Sequence, residues 1–257
     1  MESNDLFSLL DVAALVTGAS GGLGEHFALT LARAGANVAL AARRLAPLER
    51  LAREINDTGG RAVAIQMDVT SASMVELGFA AAEQAFGTVT LLVNNSGVTS
   101  GEAMVDLDEA TWDRILDTNL KGAWLCSRRF ARRLIETGKP GVIVNTASIL
   151  GVRVAGRVGA YSASKAALIQ MTRTLALELA RYEIRVNALA PGYIATELNR
   201  EFLETESGQR LIKRIPQRRL GALRDLDGPL LLLASDASRF MTGAVIPVDG
   251  GHLVTTL

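Results

Sequence analysis

Short apolar runs alternate along the chain with longer segments in which apolar residues recur at helical spacing. The runs cover residues 12–16, 37–41, 62–67, 89–93, 141–146, 184–189 and 243–248. Between the first two, Leu23, Phe27 and Leu31 mark a helix, and Gly35 stands where its C-cap is expected. Longer helical stretches lie near residues 109–137 and 160–181. Strands that are apolar on both faces and separated by helices predict a parallel sheet covered on both sides.

The alternation continues over the whole length without a linker, a low-complexity segment or an internal repeat. It predicts an α/β fold: a single domain over residues 1–257 with a doubly wound parallel sheet of about seven strands and right-handed crossovers. Hydrophobic residues make up 49% of the chain, which is enough apolar material for one core.

Charge and cysteine content narrow the class of protein. Lys plus Arg equals Asp plus Glu, 27 each, which argues against nucleic-acid binding and against anchoring on an acidic membrane. Residues 1–5 are acidic where a signal peptide would be basic, and no apolar run reaches the length of a transmembrane helix. The single cysteine, Cys126, allows no intrachain disulfide and is expected to be a small buried side chain. We therefore expect a cytoplasmic protein with a small-molecule partner.

A glycine-rich turn, TGASGGLG at residues 17–24, follows the first apolar run. A tight strand-to-helix turn requires unusual backbone angles, and a pyrophosphate must approach the backbone closely. Glycines at positions 18, 22 and 24 therefore fit a dinucleotide. The N-terminus of the following helix offers free N–H groups to an anion. The alternative is a turn that binds nothing, which its position between a strand and a helix disfavours.

Together with Thr17, the spacing G-x-x-x-G-x-G resembles the short-chain dehydrogenase/reductase family. Further motifs follow in the family's order: Asn94, Asn95, Ser96 and Gly97 after strand four, with Ser96 where the family more often has Ala; Asn119; Ser148 after strand five; Tyr161 and Lys165 in Y-x-x-x-K; and Pro191 and Gly192, followed by Thr196. The resemblance covers roughly residues 10 to 251. It implies a Rossmann-type fold, a nicotinamide cofactor, a homotetramer, and an oxidoreductase that acts on carbonyls or secondary alcohols.

Tyr161 and Lys165 are four positions apart and share one face of the predicted helix. A free tyrosine has a pKa of about 10. A nearby ammonium favours the phenolate and lowers that pKa, so the pair becomes usable for proton transfer. By resemblance, Ser148 orients the substrate carbonyl, Asn119 holds a water that links Lys165 to solvent, and Lys165 also holds the nicotinamide ribose. Each residue alone could be an ordinary helix, turn or cap residue.

The end of the second strand bears on the choice of nicotinamide. Ala42 stands where NAD enzymes carry an acid, and Arg43 follows it. Because arginine suits a 2′-phosphate, we predict a preference for NADP(H) over NAD(H), with Arg43 as the first contact and Arg44 as the second. The alternative is that both arginines are a solvated pair. Asp68 resembles the family's adenine contact and could also be a helix N-cap. The predicted cofactor contacts are Gly18, Ser20, Gly22, Leu23, Gly24, Arg43, Arg44, Asp68, Val69, Asn95, Gly97, Tyr161, Lys165, Pro191, Gly192, Ile194 and Thr196.

Two segments are predicted to wall the substrate. One covers residues 149–159, and the other, a lid, covers approximately residues 193–220 and contains a helix with Leu198, Phe202 and Leu203. The predicted substrate contacts are Ser148, Leu150 and Tyr161. His26 and His252 are not spaced with other ligands, so no metal site is predicted.

Three functions are compatible with these residues. The first is an NADP-linked carbonyl reductase or alcohol dehydrogenase. The second is a 3-oxoacyl-thioester reductase acting on a carrier protein or coenzyme A. Its docking surface would be a basic face formed by Arg128, Arg129, Arg132 and Arg133, although a subunit interface is the preferred interpretation of that face. The third is a regulator that binds nicotinamide without turnover, which the presence of Ser148, Tyr161 and Lys165 disfavours.

Overall fold

The structure is a computed structural model that describes residues 6–195 and 205–255. Within these residues the chain forms seven strands: β1 (Ala13–Thr17), β2 (Asn37–Ala42), β3 (Arg61–Gln66), β4 (Leu91–Asn94), β5 (Gly141–Thr146), β6 (Ile184–Pro191) and β7 (Val245–Val248). They form one sheet in the order β3-β2-β1-β4-β5-β6-β7. Every neighbouring pair is parallel.

Helices connect the strands, as parallel pairing requires. They are α1 (Gly22–Arg33), α2 (Leu45–Asp57), α3 (Ala72–Phe86), α4 (Glu109–Leu116), α5 (Gly122–Thr137), α6 (Gly159–Leu179), α7 (Glu206–Arg214) and α8 (Asp227–Ala234). Short 3-10 turns occur at Ile149–Gly151, Ala180–Tyr182, Leu223–Leu226, Asp236–Ser238 and His252–Val254.

Both faces of the sheet are covered. On one face, Phe27 of α1, Leu51 of α2 and Leu230 of α8 belong to the same buried cluster. On the other face, Phe79 of α3 packs in a second cluster with Phe130 of α5. All five residues of β1 are buried, which explains why this strand has no polar face. The predicted doubly wound α/β fold is therefore confirmed.

The strand order reverses direction at β1. This strand pairs with β2 on one side and with β4 on the other, with Ala14 opposite both Val38 and Leu91. In open α/β sheets, such a switch point leaves a crevice at the carboxyl ends of the two strands. The residues that follow β1 and β4 therefore meet at one place.

Several elements differ from their predicted bounds by one or two residues, and two of the differences have a clear cause in the backbone. The predicted helix at 109–137 is divided by one π turn, Asp117–Lys121, which separates α4 from α5. This turn contains Asn119, and single π turns inside helices often mark functional sites. The seventh strand, predicted from residue 243, begins at Val245. Gly243 has a φ of 79°, which is outside the β region.

Cys126 is completely buried in α5, as predicted. Burial raises the pKa of its thiol to about 12, so the thiolate that would make it reactive is not formed at neutral pH. In the part of the chain that the structure describes, no helix combines the length and the apolar character needed to cross a bilayer.

Candidate active site

The glycine-rich turn joins β1 to α1 at the crevice. Gly18 and Gly22 have φ values of 67° and 57°, in the left-handed region that favours glycine. A Cβ on Gly24 would lie 2.2 Å from the Gly18 carbonyl oxygen, so the first turn of α1 packs directly on the end of β1. Gly21, the residue before α1, provides no side-chain cap. The first N–H groups of α1 are therefore suited to an anion.

The segment after β4 is bonded to this turn. The Thr17 hydroxyl oxygen accepts the backbone N–H groups of Asn95, at 3.0 Å, and Ser96, at 3.1 Å. The Asn95 side-chain amide donates to the Thr17 carbonyl at 3.1 Å. Further along, a Cβ on Gly97 would lie 3.6 Å from Lys165 Nζ. Gly97 therefore lies directly beside the Lys165 ammonium.

Ser148, Tyr161 and Lys165 converge at the carboxyl end of β5. Ser148 begins the 3-10 turn after β5, where its hydroxyl accepts the Leu150 N–H at 3.1 Å. Tyr161 lies in the first turn of α6, and its side chain lies close enough to that of Ser148 to interact with it. Lys165 Nζ lies 5.6 Å from the centre of the Tyr161 ring and donates to the Thr146 carbonyl at 2.6 Å.

Burial has the largest effect on the pKa values of Tyr161 and Lys165. It raises the pKa of Tyr161, and the interaction with the Ser148 side chain, which lowers that pKa, only partly opposes this. Burial also lowers the pKa of Lys165 to about 8. The predicted lowering of the Tyr161 pKa by Lys165 is therefore wrong for the chain alone. The ammonium is bound to the Thr146 carbonyl, and removal of water from the phenol has the larger effect.

Asn119 joins the π turn to the two segments around it. Its side chain exchanges hydrogen bonds with the Val98 backbone, receiving the N–H at 2.8 Å and donating to the carbonyl at 2.9 Å. It also donates to the Ser164 hydroxyl at 3.0 Å, and Ser164 donates to the Tyr161 carbonyl at 2.7 Å. The water between Asn119 and Lys165 stays a prediction. Ser164 and Thr146 were not predicted from the sequence. Thr146 acts through its backbone carbonyl, which leaves no signal in the sequence.

The two arginines after β2 behave differently. The Arg44 guanidinium donates to the Ser20 hydroxyl at 3.2 Å and to the Ser20 carbonyl at 3.3 Å, so it lies on the glycine-rich turn. Arg43 is exposed, and its carbonyl accepts the side-chain amide of Gln66. Ala42, the last residue of β2, is buried. Arg44, which was predicted as the second contact of the 2′-phosphate, is therefore the arginine that touches the glycine-rich turn.

Asp68 lies beyond β3 and closes a turn. One carboxylate oxygen accepts both the N–H of Thr70, at 2.9 Å, and its hydroxyl, at 2.8 Å. The N-cap of α3 is Ser71, which accepts the Met74 N–H at 3.3 Å. The N-cap interpretation of Asp68 is therefore wrong, because Asp68 lies one turn too early. The neighbouring Val69 packs against Gly122, where a Cβ would lie 2.6 Å from the valine side chain.

Beyond β6, the chain passes close to the residue that follows β7. A Cβ on Gly192 would lie 2.7 Å from the Cβ of Asp249, so only glycine fits after Pro191. Ile194 is buried and pairs with Gly221 in an isolated bridge. Thr196, Leu198, Phe202 and Leu203 lie outside the described residues. Of the predicted lid, the described part includes α7.

The predicted substrate wall is connected to the C-terminal turn. Leu150 and Arg153 line an open cavity of 320 Å³. The Arg153 guanidinium donates to the His252 carbonyl and, at 2.5 Å, to the Thr255 hydroxyl. The His252 ring packs against Tyr193, with 5.6 Å between ring centres. Tyr193 was not predicted as a site residue, although an aromatic residue directly after Pro-Gly was an available signal.

The predicted basic face on α5 is divided between arginines that form ion pairs and arginines that are exposed. Arg129 lies 2.7 Å from Glu76 and 3.0 Å from Glu83, both on α3, and Arg133 also pairs with Glu83 at 3.4 Å. Two of the four arginines thus bind the neighbouring helix, because α3 presents glutamates to them. The other two, Arg128 and Arg132, are exposed.

The two histidines lie in separate places. His26 binds Asp227 at 2.6 Å, whereas His252 lies in the C-terminal turn. Within residues 6–195 and 205–255, no group of three His, Cys, Asp or Glu side chains is arranged to hold a metal ion.

Comparisons with known proteins agree with this arrangement. Residues 18–252 match the family model described as Enoyl-(Acyl carrier protein) reductase. The chain is 38% identical to L-rhamnose 1-dehydrogenase (NAD(P)(+)) of Azotobacter vinelandii, over 96% of this chain and 98% of the relative.

Solved structures are equally similar. One is a short-chain type dehydrogenase/reductase from Mycobacterium marinum, with 40% identity, a TM-score of 0.91, and coverage of 96% of this chain and 98% of the other. Another is gluconate 5-dehydrogenase from Burkholderia cenocepacia in complex with NADP and tartrate, with 32% identity, a TM-score of 0.95, and coverage of 99% and 100%. The chain therefore belongs to the short-chain dehydrogenase/reductase family.

Proposed function

We propose that the protein is an NADP(H)-linked dehydrogenase that interconverts a secondary alcohol and its ketone, with Tyr161 as proton donor and acceptor. The convergence of Ser148, Tyr161 and Lys165 beside the glycine-rich turn carries this proposal. The dehydrogenase relatives and the NADP-bound structure support it.

The crevice fits a dinucleotide. The positive φ of Gly18 and Gly22 and the uncapped start of α1 form a cradle for a pyrophosphate. Asn95 and Gly97 would border the cofactor near Lys165, and Asp68 and Val69 would border its adenine end. Pro191, Gly192 and Ile194 would meet its nicotinamide end, as would Thr196. When bound, the nicotinamide supplies the acceptor or donor of the hydride.

The side chains of this chain would handle the proton and the orientation. The Ser148 hydroxyl would donate a hydrogen bond to the substrate oxygen and hold it beside Tyr161. In ketone reduction, the Tyr161 hydroxyl gives its proton to that oxygen, and in alcohol oxidation the phenolate takes the proton back. Lys165, with its pKa lowered to about 8, would hold the ribose hydroxyls and pass protons toward Asn119 and solvent.

The substrate is proposed to be a hydroxylated carbon chain. The two relatives named for their substrates act on rhamnose and gluconate, which both carry several hydroxyl groups. Leu150 and the segment after it would form one wall. The second candidate is a 3-oxoacyl-thioester reductase. The description of the family model shares with it the acyl carrier protein but names a reductase of a carbon–carbon double bond. The pairing of Arg129 with α3 removes part of the surface that an acidic carrier would use. A homotetramer and a cytoplasmic location stay predictions.

A panel of carbonyl substrates tests the function. The purified protein is mixed with NADPH or NADH and with a keto-aldonate, a simple ketone or an acetoacetyl thioester, and the absorbance of the reduced nicotinamide is followed. We expect the keto-aldonate to be reduced fastest and NADPH to be consumed faster than NADH. A preference for the thioester would favour the second candidate. Cofactor binding without turnover of any substrate would favour a regulator.

The cofactor preference can be tested on β2 and the arginines after it. Arg44→Gln should raise the KM for NADPH by about 10-fold, because a 2′-phosphate loses a charge-assisted hydrogen bond, and should leave NADH kinetics unchanged. Ala42→Asp should favour NADH, since a carboxylate repels the phosphate and accepts ribose hydroxyls. Arg43→Gln is the matched comparison, and steady-state kinetics with both cofactors is the measurement. If no variant changes the ratio of the two cofactors, the NADP assignment is wrong.

A further inference from the structure

A buried serine stands between Tyr161 and Lys165 on α6. Ser164 directly precedes the lysine, and its side chain is fully buried, with 0% exposure. Neither a substrate nor a cofactor can therefore reach its hydroxyl. Alanine forms helices better than serine, and a serine in a helix interior that bonds back to its own helix weakens it slightly. A buried hydroxyl at this position needs a polar partner from another element.

Both hydrogen-bonding capacities of the Ser164 hydroxyl are used. It donates to the Tyr161 carbonyl, on its own helix, at 2.7 Å. Because its hydrogen is used there, it acts as the acceptor toward Asn119, whose side-chain nitrogen donates to it at 3.0 Å. Asn119 belongs to the π turn Asp117–Lys121. The hydroxyl thus joins the first turn of α6 to this π turn.

Asn119 is also tied to the segment after β4. Its Nδ2 donates to the Val98 carbonyl at 2.9 Å, and its Oδ1 accepts the Val98 N–H at 2.8 Å. Nδ2 carries two hydrogens, so the Val98 carbonyl and the Ser164 hydroxyl together satisfy it. Asn119 is 1% exposed. Without the Ser164 hydroxyl, one buried N–H of the amide would be left unpaired, which is costly.

The π turn and Lys165 meet beside Gly97. A Cβ on this glycine would lie 3.5 Å from Asn119 Oδ1 and 3.6 Å from Lys165 Nζ, so both polar atoms border the same place. The lysine is carried by α6, and its ammonium is bound to the Thr146 carbonyl. The separation between Lys165 and the π turn therefore depends on how α6 contacts that turn, and Ser164 provides a hydrogen bond across this contact.

We propose that Ser164 is a positioning residue for proton transfer, whose hydroxyl holds the π turn with Asn119 at a fixed distance from Lys165. The proposal rests on the proposed function, in which protons pass from Lys165 toward Asn119 and solvent. Without the hydroxyl, the π turn is free to shift relative to α6, and Tyr161 recovers its proton more slowly after each ketone reduction. All the groups that exchange protons are still present, so the loss is one of rate.

Ser164→Ala tests this inference with NADPH and the ketone of the panel above that wild type reduces fastest. We expect kcat to fall by about 10-fold and the KM for NADPH to change by less than about 2-fold, because the hydroxyl touches neither ligand. The ratio of kcat in H₂O to kcat in D₂O should rise at least about 1.5-fold above the wild-type ratio, because proton transfer then limits turnover more strongly.

Ser164→Cys is the second variant. A thiol is a weaker donor and acceptor than a hydroxyl, so kcat and the solvent isotope effect should change in the same directions as in Ser164→Ala, but by less. If Ser164→Ala does not fold, Ser164→Cys decides the test.

Ser127→Ala is the matched control. Ser127 on α5 is equally buried, donates to the Ala123 carbonyl at 2.7 Å and accepts the Asn94 side-chain nitrogen at 3.0 Å. Its replacement removes the same two kinds of hydrogen bond at a place that the proposed proton transfer does not use. We expect the two alanine variants to lose similar amounts in the midpoint of thermal unfolding. The kcat and the isotope effect of Ser127→Ala should stay at their wild-type values.

Three results would overturn the inference. They are a wild-type kcat in Ser164→Ala, a lower kcat with an unchanged isotope effect, and equal changes in Ser164→Ala and Ser127→Ala. In each case Ser164 has only a structural role, and the proposed function still stands because wild type turns over. If wild type reduces no carbonyl of the panel, the proposed function fails, and this inference fails with it.

Discussion

Replacing Tyr161 by Phe should lower kcat for ketone reduction by about 10³-fold, within the range typical of general acid catalysis. The phenyl ring fills the same place on α6 but has no proton to give to the developing alkoxide. A loss of this size corresponds to about 4 kcal/mol of transition-state stabilisation. The affinity for NADPH should change little, because the hydroxyl acts mainly on the reacting oxygen. Steady-state kinetics and cofactor titration measure the two effects.

The direction of the Tyr161 pKa adds a pH dependence to this prediction. Burial raises that pKa, so the phenol is the dominant form at neutral pH and ketone reduction is already supplied with its acid. Alcohol oxidation needs the phenolate, so its rate should rise with pH. In Tyr161→Phe, the rates of ketone reduction and alcohol oxidation should lose the pH dependence that comes from this residue.

Tyr182→Phe is the matched control, and thermal unfolding shows whether either variant is damaged. If Tyr161→Phe keeps more than about a tenth of the wild-type kcat, a different residue supplies the proton and the role of Tyr161 is disproved.

Replacing Gly24 by Ala should damage both the fold and the cofactor site. The added Cβ would lie 2.2 Å from the Gly18 carbonyl oxygen and 2.5 Å from the Asn95 side-chain nitrogen. The backbone of the turn and the hydrogen-bonded Asn95 amide cannot move aside without a loss of stability. The start of α1 must therefore shift away from β1. We expect the free energy of unfolding to fall by about 1–3 kcal/mol. NADPH affinity should fall as well, because the start of α1 moves. Urea unfolding and cofactor titration measure these effects.

Gly21 provides the control three positions earlier. A Cβ there meets no atom within 4 Å, and its φ of 162° is extended backbone that alanine also adopts. Gly21→Ala should therefore stay within about 0.5 kcal/mol of wild type and keep its cofactor affinity. Equal behaviour of the two variants would show that the close approach at Gly24 is unimportant.

The sequence was most informative where chemistry is local. The glycines at 18, 22 and 24, and the pair Tyr161 and Lys165, follow from spacing within a single turn or helix. Element bounds were less accurate where backbone geometry decides them. The π turn around Asn119 interrupts a helical pattern that the sequence presents as continuous. Its stabilising contacts come from Val98 and Ser164, which are distant along the chain.

Contacts between distant segments were not predictable. The order of Arg43 and Arg44 depends on which guanidinium reaches Ser20, and the sequence places them side by side. How much of the basic face on α5 is ion-paired could not be predicted, because the glutamates that pair with it lie on α3, some 50 residues earlier.

By itself, the sequence determined the doubly wound α/β fold and the residue types needed for cofactor binding and proton transfer. Hydrophobic periodicity and short-range spacing encode both. Only the tertiary structure decided where the Lys165 ammonium is bound and in which direction the Tyr161 pKa moves. These properties depend on burial and on contacts between segments far apart in the chain, which a linear pattern does not specify.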